Sequence, residues 1–148
     1  MKKIKIVSIG ITVCLFMIWF FTYMKNEFLT WHYGKEFIGL HKSSNMVDNV
    51  DYLKVISYSE NSARIYYVGS SGDVFTFTKN SNEWKMLAWN TIWSKTGSAD
   101  GFIYPYFWHS IEGIYFFGLV IILSIITICM LFLLEKLCRI ILKNHTKS

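Results

Sequence analysis

The middle of this chain holds no cysteine. Three cysteines occur in 148 residues, Cys14, Cys129 and Cys138, and all lie outside Lys25–Glu112. That segment therefore has no disulfide framework and no thiolate metal site. Proline is limited to Pro105, so long stretches on either side of it are free of the strongest breaker of regular structure. Charged residues make up only 17% of the chain, and they are missing altogether from two runs, Ile6–Met24 (19 residues) and Gly113–Leu134 (22 residues). Transporters, pumps and voltage sensors need intramembrane charge or broken helices, and neither run supplies them. No TVGYG-like filter loop precedes the second run. A Gly-rich phosphate loop is also lacking, because Gly69-Ser70-Ser71-Gly72 has the spacing of a hairpin turn.

The two uncharged runs themselves carry the organisation. A helix crosses a hydrocarbon core in about 20 residues at a rise of 1.5 Å each, so both are expected to be transmembrane helices. Hydrophobic content of 53% and a mean hydropathy of +0.32 exceed the ~45–50% apolar content of ordinary globular domains, and the excess lies in these runs. The net charge of +5 partitions unevenly. Lys2, Lys3 and Lys5 give +3 before the first run, and Lys136, Arg139, Lys143 and Lys147 against Glu135 give +3 after the second, while Lys25–Glu112 carries −1. Basic flanks stay cytoplasmic, so both termini are expected inside and the intervening segment outside. The basic pI then reports topology, and no nucleic-acid partner is expected.

The expected layout is a cytoplasmic N-terminus (1–5), a first span acting as signal anchor (6–24), an extracytoplasmic domain (25–112), a second span (113–134) and a basic cytoplasmic tail (135–148). A cleaved signal peptide fits less well: the apolar stretch exceeds the usual ~7–15 residues and no A-x-A-like site follows Met24. The tail is expected to continue the second helix, with Lys136, Arg139 and Lys143 reaching toward headgroups. Segments as short as 1–5 and 135–148 are not expected to fold alone, so any signal output is expected to pass through a partner. In the first span Ser8 and Thr12 are four apart, as are Gly10 and Cys14. Such pairs let helices approach closely. They are expected to pack the spans as an antiparallel hairpin, with homo-oligomerisation by the same face as the alternative.

Between the spans the hydrophobic period changes. Phe28, Trp31, Phe37, Ile38, Leu40 and His41 recur at roughly helical spacing, predicting a helix from about Lys25 to Ser43-Ser44-Asn45, broken near Gly34 and Gly39. Tyr52–Tyr58, Ala63–Val68, Val74–Thr78 and Trp84–Ile92 then alternate β-branched and aromatic residues with polar ones, separated by turn-rich clusters. The expected fold class is α+β: two transmembrane helices flanking one helix plus an antiparallel four-strand β-meander, with the helix over one sheet face. Cystatin-like and NTF2-like folds share that general shape, an analogy that says nothing about activity.

The stretch Trp84-Lys85-Met86-Leu87-Ala88-Trp89-Asn90-Thr91-Ile92-Trp93-Ser94, followed by Thr96–Gly101 and Tyr104-Pro105-Tyr106, resembles extracytoplasmic segments of small two-pass membrane proteins of Gram-positive bacteria. The resemblance implies a location and no activity. Within it, Trp93, Asp100, Tyr104, Tyr106 and Trp108 are the candidate ligand- or partner-binding residues, because a polar Gly-bounded loop lies between two aromatic clusters. The competing expectation makes the same aromatics sheet core and an interfacial belt. Ser98, Asp100 and His109 are the residue types of a hydrolase triad but lack a nucleophile elbow. His32, Glu36 and His41 do not converge from one straight helix, so neither a metal nor another cofactor is expected. The chain is read as a non-enzymatic protein that binds and modulates another envelope protein as an accessory, regulatory or immunity-type subunit. Its expected partners are the lipid bilayer and a membrane or envelope protein, with further copies of itself as the alternative. The alternative is an extracytoplasmic domain that binds lipid, glycan or peptide.

Overall fold

A computed structural model describes residues 2–43 and 49–145. The chain forms two long helices and a four-stranded antiparallel sheet, a mixed α+β architecture. Helix α1 runs Lys2–Tyr33 and helix α2 runs Ile111–His145. Both are long and apolar enough to cross a membrane, over Ile9–Phe37 and Ile111–Lys136. Strands β1 (Val50–Tyr58), β2 (Ser62–Gly69), β3 (Ser71–Asn80) and β4 (Glu83–Ser94) follow in spatial order β1-β2-β3-β4, which is the expected meander.

The chain divides into two compact units. One comprises α1 up to Met17 together with α2 from Tyr115. Within it Thr12 faces Ser124 and Thr127 across a cavity of about 250 Å³ also lined by Val120, Leu123 and Ile128. Ser124 and Thr127 donate to the carbonyls of Val120 and Leu123, both at 2.8 Å, so their hydroxyls are satisfied inside their own helix. Cys14 is exposed, and a side chain added at Gly10 would meet nothing within 4 Å. The side chains of Lys2, Lys3, Lys5, Ser8, Arg139 and Lys143 lie outside the described residues, and Lys136 is exposed on α2.

The other unit is Ile18–Ile114, and it departs from expectation at its start. The first apolar run and the following helix are one uninterrupted element to Tyr33, because Lys25-Asn26-Glu27 contains no breaker. Two short 3₁₀ turns, Gly34–Phe37 and Leu40–Ser43, replace the second half of the predicted helix, with Gly39 between them at φ +83°. The predicted end at Ser44-Asn45 lies outside the described residues. The inward face differs in part: Phe37 and Leu40 turn to the sheet as expected, joined by Leu29 and Tyr33, whereas Phe28, Trp31 and Ile38 are exposed.

Alternation along the strands produces two packed faces. On the first, Val55, Ala63, Ile65, Tyr67, Phe75 and Phe77 close around Phe37. Phe37 is fully buried, 5.5 Å from the Phe77 ring and 5.1 Å from Trp84 between centroids. The Tyr67 hydroxyl donates to the Phe37 carbonyl at 2.7 Å. On the second face, Tyr66, Val68, Val74 and Trp93 are covered by Tyr106, with Tyr23 and Ile103 beside it. Ser81 and Asn82, at φ 49° and 72°, turn β3 into β4 as the two-residue hairpin that suits right-twisted strands. Gly72 is required opposite Trp93, since a Cβ there would fall 2.0 Å from the indole nitrogen.

Phe37→Ala should lower the unfolding free energy by about 3–5 kcal/mol, the usual cost of removing a fully buried aromatic, while Phe28→Ala on the exposed side should change it by no more than about 0.5 kcal/mol. Urea unfolding of the detergent-solubilised protein, followed by tryptophan fluorescence, measures both.

Candidate functional site

The second sheet face ends in a pocket of about 320 Å³. Its walls come from three parts of one unit: Tyr23 and Glu27 on α1, Tyr52 and Lys54 on β1, and Tyr106, Trp108 and His109 after β4. Tyr23 and Glu27 are one helical turn apart, and Tyr52 and Lys54 are two apart on a strand, so each pair faces one way. Tyr106 to His109 are drawn in by Trp19 and Thr22 of α1. The Trp19 indole donates to the Pro105 carbonyl at 3.1 Å and the Tyr104 hydroxyl to Thr22 Oγ1 at 3.4 Å.

Lys54 and Glu27 form the pocket's polar centre. Lys54 Nζ donates to both carboxylate oxygens at 2.7 and 2.6 Å, with side-chain exposures of 20% and 28%. The ammonium also lies 6.0 Å from the Tyr52 ring centroid and 5.9 Å from that of Tyr106, at the outer limit of a cation–π contact. The Tyr106 hydroxyl donates to Glu27 Oε1 at 3.3 Å. Burial first, then the Glu27 carboxylate, push that phenol far above its ordinary range. His109 stacks on Tyr106 (5.1 Å, 9°) and on Tyr66 (5.5 Å, 21°), and its Nε2 shares a 3.0 Å hydrogen bond with the Tyr52 hydroxyl. Its Nδ1 is buried and unpartnered. Burial and then the Lys54 ammonium push the imidazole down from 6.5 to about 4, with Glu27 opposing. The imidazole is therefore neutral at pH 7.

No family model matches this chain, and no curated protein or solved structure matches it significantly. Its function has to be argued from the site.

The candidate residues named from sequence fall in different places. Tyr106 and Trp108 meet in the pocket, Tyr106 buried as its floor and Trp108 half exposed at its rim. Trp93 is buried on the sheet face, where its Nε1 donates to the Tyr66 hydroxyl at 2.6 Å. Asp100 is exposed and pairs with Trp93 through the backbone, the loop between them folding back through Ser94 N–Ala99 O (2.9 Å) and Gly101 N–Ile92 O (2.7 Å). Tyr104 sits on Thr22. His109 is hydrogen-bonded to Tyr52, and neither Ser98 nor Asp100 is its partner. His32, Glu36 and His41 have separate surroundings: His32 stacks on Phe28, Glu36 accepts from Trp84 Nε1 at 2.9 Å, and His41 packs on Tyr67. Tyr23, Glu27, Tyr52 and Lys54 carried no sequence signal beyond their shared faces. What unites them is the docking of α1 on β1.

A second feature is the contrast between the sheet's edges. The β1 edge is crossed by α1, which caps it at Val55: Thr30 Oγ1 accepts from the Val55 N–H at 2.8 Å while donating to the Asn26 carbonyl at 2.7 Å. Among the described residues, β4 is covered only at its C-terminal end, by residues 99–101. Along 85–90 every residue is exposed. A bulge places Leu87 as the extra residue between Met86 and Ala88, and Leu87 is 70% exposed. Beside it Met86 and Trp89 are also exposed, Trp89 holding its indole on the buried Asp73 carboxylate at 3.2 Å. Asp73 accepts as well from Ser71 Oγ and from Thr91 Oγ1, which fixes the strand that carries the patch.

The His109 environment sets a pH dependence. The unfolded ring takes up a proton near pH 6.5 and the folded one only near 4, so this group's contribution to stability is complete above 6.5 and is lost as pH falls through that window. The melting temperature should therefore fall more steeply between pH 6.5 and 4 in the native protein than in His109→Phe, which keeps the stack and cannot charge. Equal slopes would mean that burial does not hold the ring neutral.

Proposed function

We propose that this chain is a non-enzymatic two-pass membrane protein whose domain binds another membrane or envelope protein through the open edge of β4, as an accessory or regulatory subunit. The observation that carries this reading is the exposed strip Met86-Leu87-Trp89 on an edge strand whose outer backbone groups along 85–90 have no partner among the described residues. An uncovered apolar edge is a site for strand addition and is otherwise an aggregation hazard. Full burial of each such side chain is worth roughly 1.5–3 kcal/mol, so a partner strand gains both ladder hydrogen bonds and apolar cover. The bulge at Leu87 limits which strand fits, because it twists the edge locally.

The membrane arrangement belongs to the same proposal. Two apolar helices with basic flanks support spans with both termini cytoplasmic and the sheet outside. A domain tethered at both ends meets its partner in two dimensions, at a high effective concentration. The Glu27–Lys54 pair serves to hold α1 on the sheet, and no proton-transfer or nucleophilic role is assigned to it or to His109.

Two experiments test the reading. A photo-crosslinking residue at position 87 should capture one membrane protein in near-stoichiometric yield, whereas one at Glu60 in the β1–β2 turn should not. Leu87→Glu should abolish the capture with abundance unchanged, and equal capture from both positions would remove the edge from consideration. For topology, in a background with the native cysteines replaced by serine, Glu60→Cys should react with an impermeant maleimide in intact cells and Lys3→Cys only after permeabilisation. The reverse pattern would place the sheet inside.

A further inference from the structure

The pocket beneath Trp108 is a site in its own right, distant in role from the β4 edge and resting on different residues. Its volume of about 320 Å³ falls at the low end of the ~300–1,000 Å³ of small-molecule sites, which suits one ring and not a chain. Its walls are aromatic, and its only full charges among the described residues are a cation and an anion already paired with each other.

That pairing decides the ligand's charge. An anionic group reaching Lys54 has to compete with Glu27, and a cationic one reaching Glu27 has to displace Lys54. Either leaves one member of a half-buried pair without its partner, which is the costly state. The pair as it stands still offers hydrogen bonds. Lys54 uses two of its three donors on Glu27, so one N–H remains. Glu27 Oε1 accepts from Lys54 and from Tyr106, while Oε2 accepts from Lys54 alone, leaving acceptor capacity on Oε2. One donor and one acceptor are thus fixed next to each other, separated by the length of the ion pair, 2.6 Å. Two vicinal hydroxyls present the complementary set: one oxygen accepts from Lys54 and its neighbour donates to Glu27. A neutral ring bearing such a diol also has C–H faces to lay on the exposed aromatics, Trp108 at 47% and Tyr52 at 41% exposure.

We propose that this pocket binds an uncharged pyranose sugar, with a vicinal diol bridging Glu27 and Lys54 and the ring face against Trp108. Tyr106 acts as a positioning residue, its hydroxyl holding the Glu27 carboxylate in place. His109 fills the same role for Tyr52.

The test is saturation-transfer NMR on the full chain in amphipol, exchanged from a detergent without a sugar headgroup. The probes are methyl α-glucopyranoside, methyl α-mannopyranoside and N-acetylglucosamine, with phosphocholine and glycerol phosphate as charged comparators. At least one sugar should give saturable transfer in the millimolar range, strongest from the diol-bearing carbons, and the charged probes should give none. Trp108→Ala should weaken the affinity by about tenfold or more. The double variant Glu27→Gln with Lys54→Met, in which no unpaired charge is left, should abolish binding while its melting transition stays cooperative. Three silent sugars, or transfer unchanged in the double variant, would overturn the proposal. Transfer from phosphocholine or glycerol phosphate with the sugars silent would overturn it too, and would give the pocket to lipid headgroups. None of these outcomes bears on crosslinking at position 87, so the pocket and the edge stand or fall separately.

Discussion

An open four-stranded meander has two raw edges and two faces, and this chain lays across the first edge the same helix that carries its first apolar run. Thr30 is the hinge of that arrangement. Its single hydroxyl donates back to the Asn26 carbonyl and accepts the Val55 N–H, so a helix side chain supplies the hydrogen bond that a fifth strand would have given. One turn earlier Glu27 grips Lys54. With α1 pinned to β1 at these two points, Phe37 is delivered to one sheet face and Tyr23 to the other. The pocket exists only because α1 crosses that edge.

The absence of disulfides from the domain is made good by aromatic density. Both sheet faces are covered, and the covering residues are nearly all rings: Phe37 on one side, Tyr106 on the other, with Tyr33 stacked on Tyr58 at 3.7 Å. Large rings bury more area per ordered residue than aliphatics of similar rotamer entropy, which matters in a domain this small. Each buried phenol or indole then needs a polar outlet. Tyr67 finds the Phe37 carbonyl and Trp93 the Tyr66 hydroxyl, while the less buried Trp84 and the exposed Trp89 reach the Glu36 and Asp73 carboxylates. These bonds tie elements that hydrophobic contact alone would leave free to slide.

The strands were legible in sequence because period-2 alternation and turn residues report directly on local geometry. Asn80 to Glu83 is an instance, where Ser81 and Asn82 adopt the positive φ that a tight hairpin demands. The helix after the first apolar run was legible in existence and only partly in face, Phe37, Leu40 and His41 packing inward as expected. Phe28 and Trp31 are the larger and more apolar residues, yet Leu29 and Tyr33 point inward, since the face is chosen by which side meets β1 and not by residue size. The five named aromatic and acidic candidates scattered for a related reason. Tyr106 and Trp108 meet because Pro105 and Tyr104 are held by α1, whereas Trp93 is drawn under the sheet by Gly72. Glu27 and Lys54, separated by 27 positions, carry no mutual signature in a single sequence.

The two edges of the sheet now differ in a way that stability does not require. If the chain needed only to remain folded and monomeric, the cheapest remedy for β4 would be the one already used on β1, or a run of charges along 85–90. Instead that stretch carries Met86, Leu87 and Trp89 with Lys85 as its one charge. Asp73 is buried beneath it to anchor Trp89 and Thr91, which spends a desolvated carboxylate on holding an exposed strand in shape. A buried acceptor maintained for a surface element is hard to rationalise by core packing, because hydrophobic residues of the same volume would pack as well without the desolvation cost. It is consistent with an edge whose geometry is read by something that binds there.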